Sequence, residues 1–329
     1  MTADLTVDLG RGLRLANPVG LASGTAGYGF ELAELIDIDA VGALFTKGTT
    51  RHPRAGNAPP RVAETAAGML NSIGLQNPGV EHVAREYAEH FARWRCAVIV
   101  NIAGANIDEY VDCVRILDAA AGIDGYELNI SCPNIAHGLD IGRDPGQAAR
   151  CTSAVRAVTE RCVVVKLSPN VTDIAAVARA VEAAGADAVS AVNTYVGMKI
   201  HRQARRPVLP GGGNGGLSGP AIKPLALAAV AAVRAAVAVP VIGVGGIASL
   251  EDAIDLLIAG ADAVQVGTAS FADPRTATRI VSELGAYLQD AGATHARELR
   301  WTPGGALAEV GAASHDSMPP GGIEPPSTG

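Results

Sequence analysis

The chain has 329 residues, 48% of them hydrophobic, and a net charge of -7 from 26 basic and 33 acidic side chains. That apolar content supports a large core, enough for one big barrel or two ordinary domains, and excludes disorder over most of the length. The charges are spread without blocks, so there is no electrostatic footprint for nucleic acid and no polybasic membrane patch.

Eight short β-branched or apolar runs recur along the chain, at 19–24, 43–48, 97–104, 125–131, 163–168, 188–194, 240–246 and 263–270. Each is followed by a polar or glycine-bearing turn and, in most cases, by a helical stretch, which is the pattern of βα units around a parallel sheet. Helix signals fall between them. Asn106 with Glu109 and Ser249 with Asp252 resemble capping boxes, and Asp144-Pro145 supplies an N-cap followed by proline at the first helical position. Over 173–185, Ile174, Val177, Ala178 and Val181 share one helical face, and Gly260 ends the helix that Ser249 opens. The alanine-rich run 221–239 is broken by Lys223, Pro224 and Arg234 and reads as a buried helix rather than a membrane span. Ala184-Gly185-Ala186-Asp187-Ala188-Val189 returns as Ala259-Gly260-Ala261-Asp262-Ala263-Val264, two βα units later.

Eight such units predict an α/β fold, a (β/α)8 (TIM) barrel over residues 1–302 with inserted loops over its carboxyl face. Residues 51–78 and 195–219 are the two insertions. The second combines Lys199, Arg202, Arg205 and Arg206 with glycines between 211 and 216 and reads as a mobile lid. Residues 303–329 are rich in Gly, Pro and Ser and are expected to form a disordered tail. Acids at Asp4 and Asp8 leave no signal-peptide pattern at the start. Five cysteines with no C-x-x-C pair fit neither a disulfide framework nor a zinc or iron–sulfur site within the chain. A cytoplasmic location follows.

Chemistry is expected where the strands end. In Asn129-Ile130-Ser131-Cys132-Pro133-Asn134 the proline stops the strand and places the Cys132 thiol on a loop at the carboxyl face. Cys96, Cys113, Cys151 and Cys162 are read as small packing residues. The other strand ends carry Ser23, Lys47, Asn101, Lys166, Asn193 with Thr194, Gly245-Gly246 and Gly267-Thr268. Asn101 alone would pass as a satisfied structural residue. Two lysines and three asparagines together are costly at buried strand ends unless a ligand pairs them. The glycine-bearing ends of the seventh and eighth strands are where such barrels bind phosphate. Gly243-Val244-Gly245-Gly246 lacks the G-x-G-x-x-G spacing of a dinucleotide site, so flavin mononucleotide (FMN), with lysines beside its ring, suits the position.

Lys47-Gly48-Thr49-Thr50, Arg61-Val62-Ala63-Glu64-Thr65, Asn71-Ser72-Ile73-Gly74-Leu75-Gln76-Asn77-Pro78-Gly79, the run from Asn129 to Asn134, Lys166-Leu167-Ser168-Pro169-Asn170 and Gly216-Leu217-Ser218-Gly219 resemble the dihydroorotate dehydrogenases. The likeness runs in order over about 5–288 and is greatest to the class 1B catalytic subunit, in which cysteine stands where the membrane-linked class has serine. The resemblance implies oxidation of (S)-dihydroorotate to orotate in pyrimidine biosynthesis. Cys132 would remove the C5 proton while the C6 hydride passes to FMN. Substrate would meet Lys47, Asn71, Ser72, Ile73, Gly74, Leu75, Asn129, Asn134, Asn193 and Thr194. The cofactor would lie against Ser23, Lys47, Gly48, Asn101, Asn129, Lys166, Val192, Gly219, Gly245, Gly246, Gly267 and Thr268, with no metal. It also implies a homodimer joined to an iron–sulfur FAD subunit, as a heterotetramer passing electrons to NAD. The glycine-rich Pro210-Gly211-Gly212-Gly213-Asn214 departs from the family pattern. Alternatives are a fumarate-linked class 1A enzyme, another FMN barrel acting on a dihydropyrimidine or reducing a different pyrimidine, such as a dihydrouridine synthase or the pyrimidine-reducing domain of a larger dehydrogenase, and a catalytically silent barrel serving as a scaffold.

Overall fold

The computed structural model describes residues 3–131 and 141–301. The tail predicted at 303–329 lies outside the described residues. Eight parallel strands close into a barrel: β1 Val19–Leu21, β2 Ala43–Phe45, β3 Ala97–Ile102, β4 Gly125–Asn129, β5 Cys162–Lys166, β6 Ala188–Ala191, β7 Val241–Val244 and β8 Ala263–Val266. Each pairs with its neighbours in sequence, and β8 closes on β1. All eight predicted runs are found. Most overshoot their strands at the carboxyl end, because the polar and glycine residues there leave the ladder to form the loops of the carboxyl face.

The helices between strands open and close largely as their punctuation predicts. Asp144 accepts from the Gln147 N–H at 2.7 Å at the start of Pro145–Arg156. Ser249 and Asp252 form a reciprocal capping box on Leu250–Ile258, and Gly260 follows with a left-handed φ of 118°. The box predicted at Asn106 is only half formed. Asn106 accepts from the Glu109 N–H, but the Glu109 carboxylate turns to the Ala105 N–H at 2.8 Å. The alanine-rich run becomes the helix Lys223–Ala236, which buries Ala226, Val230 and Val233. Among the described residues no helix is long and apolar enough to cross a membrane.

The repeated hexapeptide has a shared mechanical role. Asp187 accepts from the Val163 N–H at 2.9 Å and from Arg156 at 2.7 Å. Asp262 does the same with the Val241 N–H at 2.9 Å and Arg234 at 3.4 Å. Each aspartate thus accepts an N–H at the start of the neighbouring strand and clamps the arginine near the end of the helix that precedes that strand.

The two inserted loops carry short strands that the sequence did not announce. Val62–Thr65, Gly68–Asn71, Gly215–Ser218 and Tyr195–Gly197 form a four-stranded antiparallel sheet, and Ile200–His201 pairs with Arg206–Pro207. The part of the predicted lid from Gly215 onward is therefore hydrogen-bonded, with Gly216 opposite Asn71. These strands are short and interrupted by glycine and proline, and their partners lie far away in sequence, so no local periodicity announces them. Gly68 is required by close approach: a Cβ there would stand 2.0 Å from the Ser218 carbonyl oxygen. At the amino end of the barrel a two-stranded hairpin, Val7–Asp8 with Arg14–Leu15, brings Leu9 and Leu15 against Phe45, Ile99, Val164 and Ile242.

Replacing Asp187 by alanine leaves the Val163 N–H and a largely buried Arg156 without their carboxylate. We expect a loss of about 1–3 kcal/mol from the lost charge-assisted hydrogen bonds, the Arg156 guanidinium keeping the Thr159 and Arg161 carbonyls. Urea unfolding midpoints of wild type and Asp187→Ala check it, and equal midpoints would remove the aspartate from the fold's essential contacts.

Candidate active site

Side chains alternate along each barrel strand with period two, so every second residue faces the interior. The lower inward positions are apolar and pack together: Ala97 and Ile99 on β3, Cys162 and Val164 on β5, Ala188 on β6 and Ala263 on β8. The next inward positions are polar. Asn101 donates through Nδ2 to Glu127 Oε2 at 2.7 Å, Ser190 Oγ and Gln265 Nε2 donate to Glu127 Oε1 at 2.8 and 2.9 Å, and Lys166 Nζ lies 3.4 Å from Glu127 Oε2 and from Gln265 Oε1. Glu127 is fully buried and Lys166 only 5% exposed. Sequence reasoning placed Asn101 and Lys166 here but missed Glu127, Ser190 and Gln265. The signal was available, since Glu127 is a carboxylate at an inward position inside the apolar run Tyr126-Glu127-Leu128.

Above this layer the strand ends bring several predicted residues together. Asn193 Nδ2 donates to Asn129 Oδ1 at 3.1 Å, and the Asn193 Oδ1 accepts from the Thr194 N–H at 2.8 Å. Asn71 donates to the Gly216 carbonyl at 3.2 Å, and a Cβ on Gly216 would stand 2.2 Å from Thr194 Oγ1. The inserted sheet thus places Asn71 and Thr194 on either side of one glycine. Ser72 is held by Asn57, whose Nδ2 donates to the Ser72 carbonyl at 3.0 Å. Gly74 and Leu75 both have left-handed φ, 74° and 54°, in the segment with Ile73. Thr268 Oγ1 donates to Ser218 Oγ at 2.8 Å, joining the end of β8 to Gly219 through the inserted strand. Ser23 follows β1, Val192 is buried at the end of β6, and Gly267 stands beside Ala22. Cys132 and Asn134 lie outside the described residues.

Gly245 and Gly246 have a packing reason of their own. Both have positive φ, and a Cβ on Gly246 would meet the Lys223 backbone nitrogen at 2.8 Å. Asn101 is only half satisfied: its Oδ1 is buried with no hydrogen-bond partner among the described residues, and a Cβ on Gly48 would stand 3.1 Å from it. Lys47 is half-buried and its ammonium has no hydrogen-bonding partner among the described residues. Burial, and then the nearby Arg61, hold its pKa below the ordinary lysine value, with Glu31 opposing. Cys96, Cys113, Cys151 and Cys162 are buried, as expected, and burial pushes each thiol up to about 12. None of these four can serve as a base near neutral pH.

The sequence profile described as dihydroorotate dehydrogenase matches residues 5–288. The chain is 50% identical over 294 residues to a Porphyromonas gingivalis protein named dihydroorotate dehydrogenase B (NAD(+)), catalytic subunit, covering 89% of this chain and 95% of that one. A Listeria welshimeri protein of the same name is 47% identical over 291 residues, 88% of this chain and 95% of its own. A Solibacter usitatus protein, named provisionally as dihydroorotate dehydrogenase A (fumarate), is 50% identical over 289 residues, again 88% and 95%. A profile match over most of its length, together with relatives that share about half of its residues, makes this chain a member of the dihydroorotate dehydrogenase family.

Proposed function

We propose that this chain is an FMN-dependent enzyme that oxidises (S)-dihydroorotate to orotate in pyrimidine biosynthesis, and that it is the catalytic subunit of an NAD-linked assembly. The observation that carries this reading is the convergence of Asn129 with Asn193 and of Asn71 with Thr194 over the buried polar layer, in a chain of this family. Asparagine amides both donate and accept, which suits the alternating C=O and N–H edge of a dihydropyrimidine.

The residues present fit a flavin. Asn101 Oδ1 is a buried acceptor without a donor among the described residues, Lys47 is a cation with no hydrogen-bonding partner there, and Lys166 keeps one N–H beyond its contacts to Glu127 and Gln265. The ring of FMN offers an imide N–H and carbonyl oxygens that match them. Ser23, Gly48, Asn129, Val192 and Gly219 would line the rest, with the phosphate at Gly245-Gly246 and Gly267-Thr268. Bound FMN supplies a two-electron acceptor for the hydride that leaves C6.

Within the chain, Cys132 takes the C5 proton as the C5–C6 double bond forms. A thiol starts near roughly 8.5, within reach of working pH if lysine and amide donors favour its thiolate. Ser72, Ile73, Gly74 and Leu75 close over the substrate, Asn134 adds a further amide, and Lys47 attracts its carboxylate. Two of the similar proteins are named as catalytic subunits of NAD(+) enzymes, which supports NAD linkage and a separate partner subunit; that the partner carries iron–sulfur and FAD, that the core is a homodimer and that the setting is cytoplasmic rest on the family resemblance. The fumarate-linked reading has its own support in the equally similar Solibacter protein.

The direct test is to purify the chain, identify its flavin, reduce it with dihydroorotate and offer each acceptor. We expect FMN, slow reduction of NAD by the chain alone, and fast reduction once an iron–sulfur flavoprotein partner is added. Fast fumarate reduction by the single chain would move it to the other class, and absence of flavin would overturn the cofactor reading.

Cys132→Ala is expected to keep its FMN and lose reduction by dihydroorotate by at least about a hundredfold, the usual contribution of a general base. Cys132→Ser should be slow at neutral pH, because an alkoxide forms less readily than a thiolate. Stopped-flow flavin reduction decides, and wild-type rates in Cys132→Ala would end the assignment.

Lys47 gives a pH dependence. Its charge is lost as pH rises through a pKa held below the ordinary 10.5, so orotate affinity should fall, by about tenfold, at lower pH than an unperturbed lysine would allow. In Arg61→Gln the repulsion is gone and the break should move to higher pH, though burial keeps it below that of an exposed lysine. Spectral titrations with orotate across pH check both, and an unmoved break would remove Arg61 as a cause.

A further inference from the structure

Glu127 is a fully buried carboxylate that the proposed chemistry does not use. It stands on β4 with Asn101 of β3 as its register partner, and it accepts from Asn101, Ser190, Gln265 and Lys166. Three of those donors are neutral and lie within 2.9 Å; the fourth is the ammonium, at 3.4 Å. This is a saturated anion site built from five strands, far beyond what filling a barrel interior requires, since an apolar layer of similar volume is often as stable as a buried ion pair.

Its two consequences both reach the carboxyl face. By taking the Asn101 Nδ2, Glu127 fixes which way that amide points, and the Oδ1 is left beside Gly48 as an acceptor with no partner among the described residues. By lying beside Lys166 it offsets the charge of an ammonium that would otherwise stand alone at the end of β5. We infer that Glu127 is a positioning residue for the flavin site, which orients Asn101 and, by pairing with Lys166, makes the site's positive charge smaller than its lysines imply. The inference rests on the FMN reading above.

The physical consequence is a redox one. Reduction adds negative charge to a flavin, so a bare cation nearby favours the reduced form and raises the midpoint potential. The Glu127 charge works the other way and keeps the bound flavin reducing enough to hand electrons on to a nicotinamide-linked acceptor. A carboxylate that only stabilised the barrel would alter folding without moving the potential.

The test is a cycle of four proteins, each loaded with FMN: wild type, Glu127→Gln, Lys166→Gln and the double variant. Midpoint potentials are read by equilibration with a reference dye, with no turnover involved. Glu127→Gln should bind reduced relative to oxidised FMN about tenfold better than wild type, a positive shift of about 30 mV for a two-electron couple. If Glu127→Gln alone does not fold because it strands the ammonium, the comparison of the double variant with Lys166→Gln carries the same sign, the double being more positive. Equal potentials within these pairs would overturn the inference while leaving the flavin assignment standing. Failure of the wild-type protein to hold FMN would instead overturn the reading on which it rests.

Discussion

The rest of the site depends on one constraint, that a carboxylate and an ammonium occupy the interior of a closed barrel. Taking two charges out of water costs several kcal/mol each, and their attraction offsets this only when neighbouring donors and acceptors complete both shells. Ser190, Gln265 and Asn101 complete the shell of Glu127, and each must come from a different strand at the same height. The register of the barrel is therefore tied to this layer. A one-residue slip of any of these strands would turn its polar residue outward among the helices and an apolar one inward.

The layer divides the barrel into two functional halves. Below it, Leu9, Leu15, Phe45, Ile99, Val164 and Ile242 make a dry core that needs no ligand. Above it, polar groups remain with capacity to spare, of which the Asn101 Oδ1 is the clearest case. The inserted antiparallel sheet adds groups the barrel strands could not supply, because Asn71 is carried on Gly68–Asn71 and held by Gly216. Glycine at 216 is what allows that strand to pass so close to Thr194.

The electrostatics of the face differ from one cation to the next. Lys166 is paired with a buried carboxylate, whereas Lys47 faces Arg61 and is weakened as an ammonium by burial. One lysine is thus a fixed member of the scaffold, and the other is available to an anion that approaches from solvent. The four described cysteines are buried packing residues, Cys162 also donating to the Leu9 carbonyl, and burial keeps their thiols protonated.

The eight barrel strands, their order and several helix starts, at Asn106, Asp144 and Ser249, were legible in the sequence, because alternation, caps and turn residues are local signals that act over a few residues. The polar strand ends were legible for the same reason: Lys47, Asn101, Asn129, Lys166 and Asn193 each interrupt an apolar run. What only the tertiary structure decided was which of these groups meet. The pairing of Asn71 with Gly216 joins residues 145 apart, and that of Gln265 with Glu127 joins residues 138 apart. Parts of the inserted loops became a sheet through such pairings, and Glu127, an ordinary glutamate in one dimension, became the centre of a network. Local sequence sets which way a side chain points along its own strand, but the closure of the barrel sets what stands opposite it.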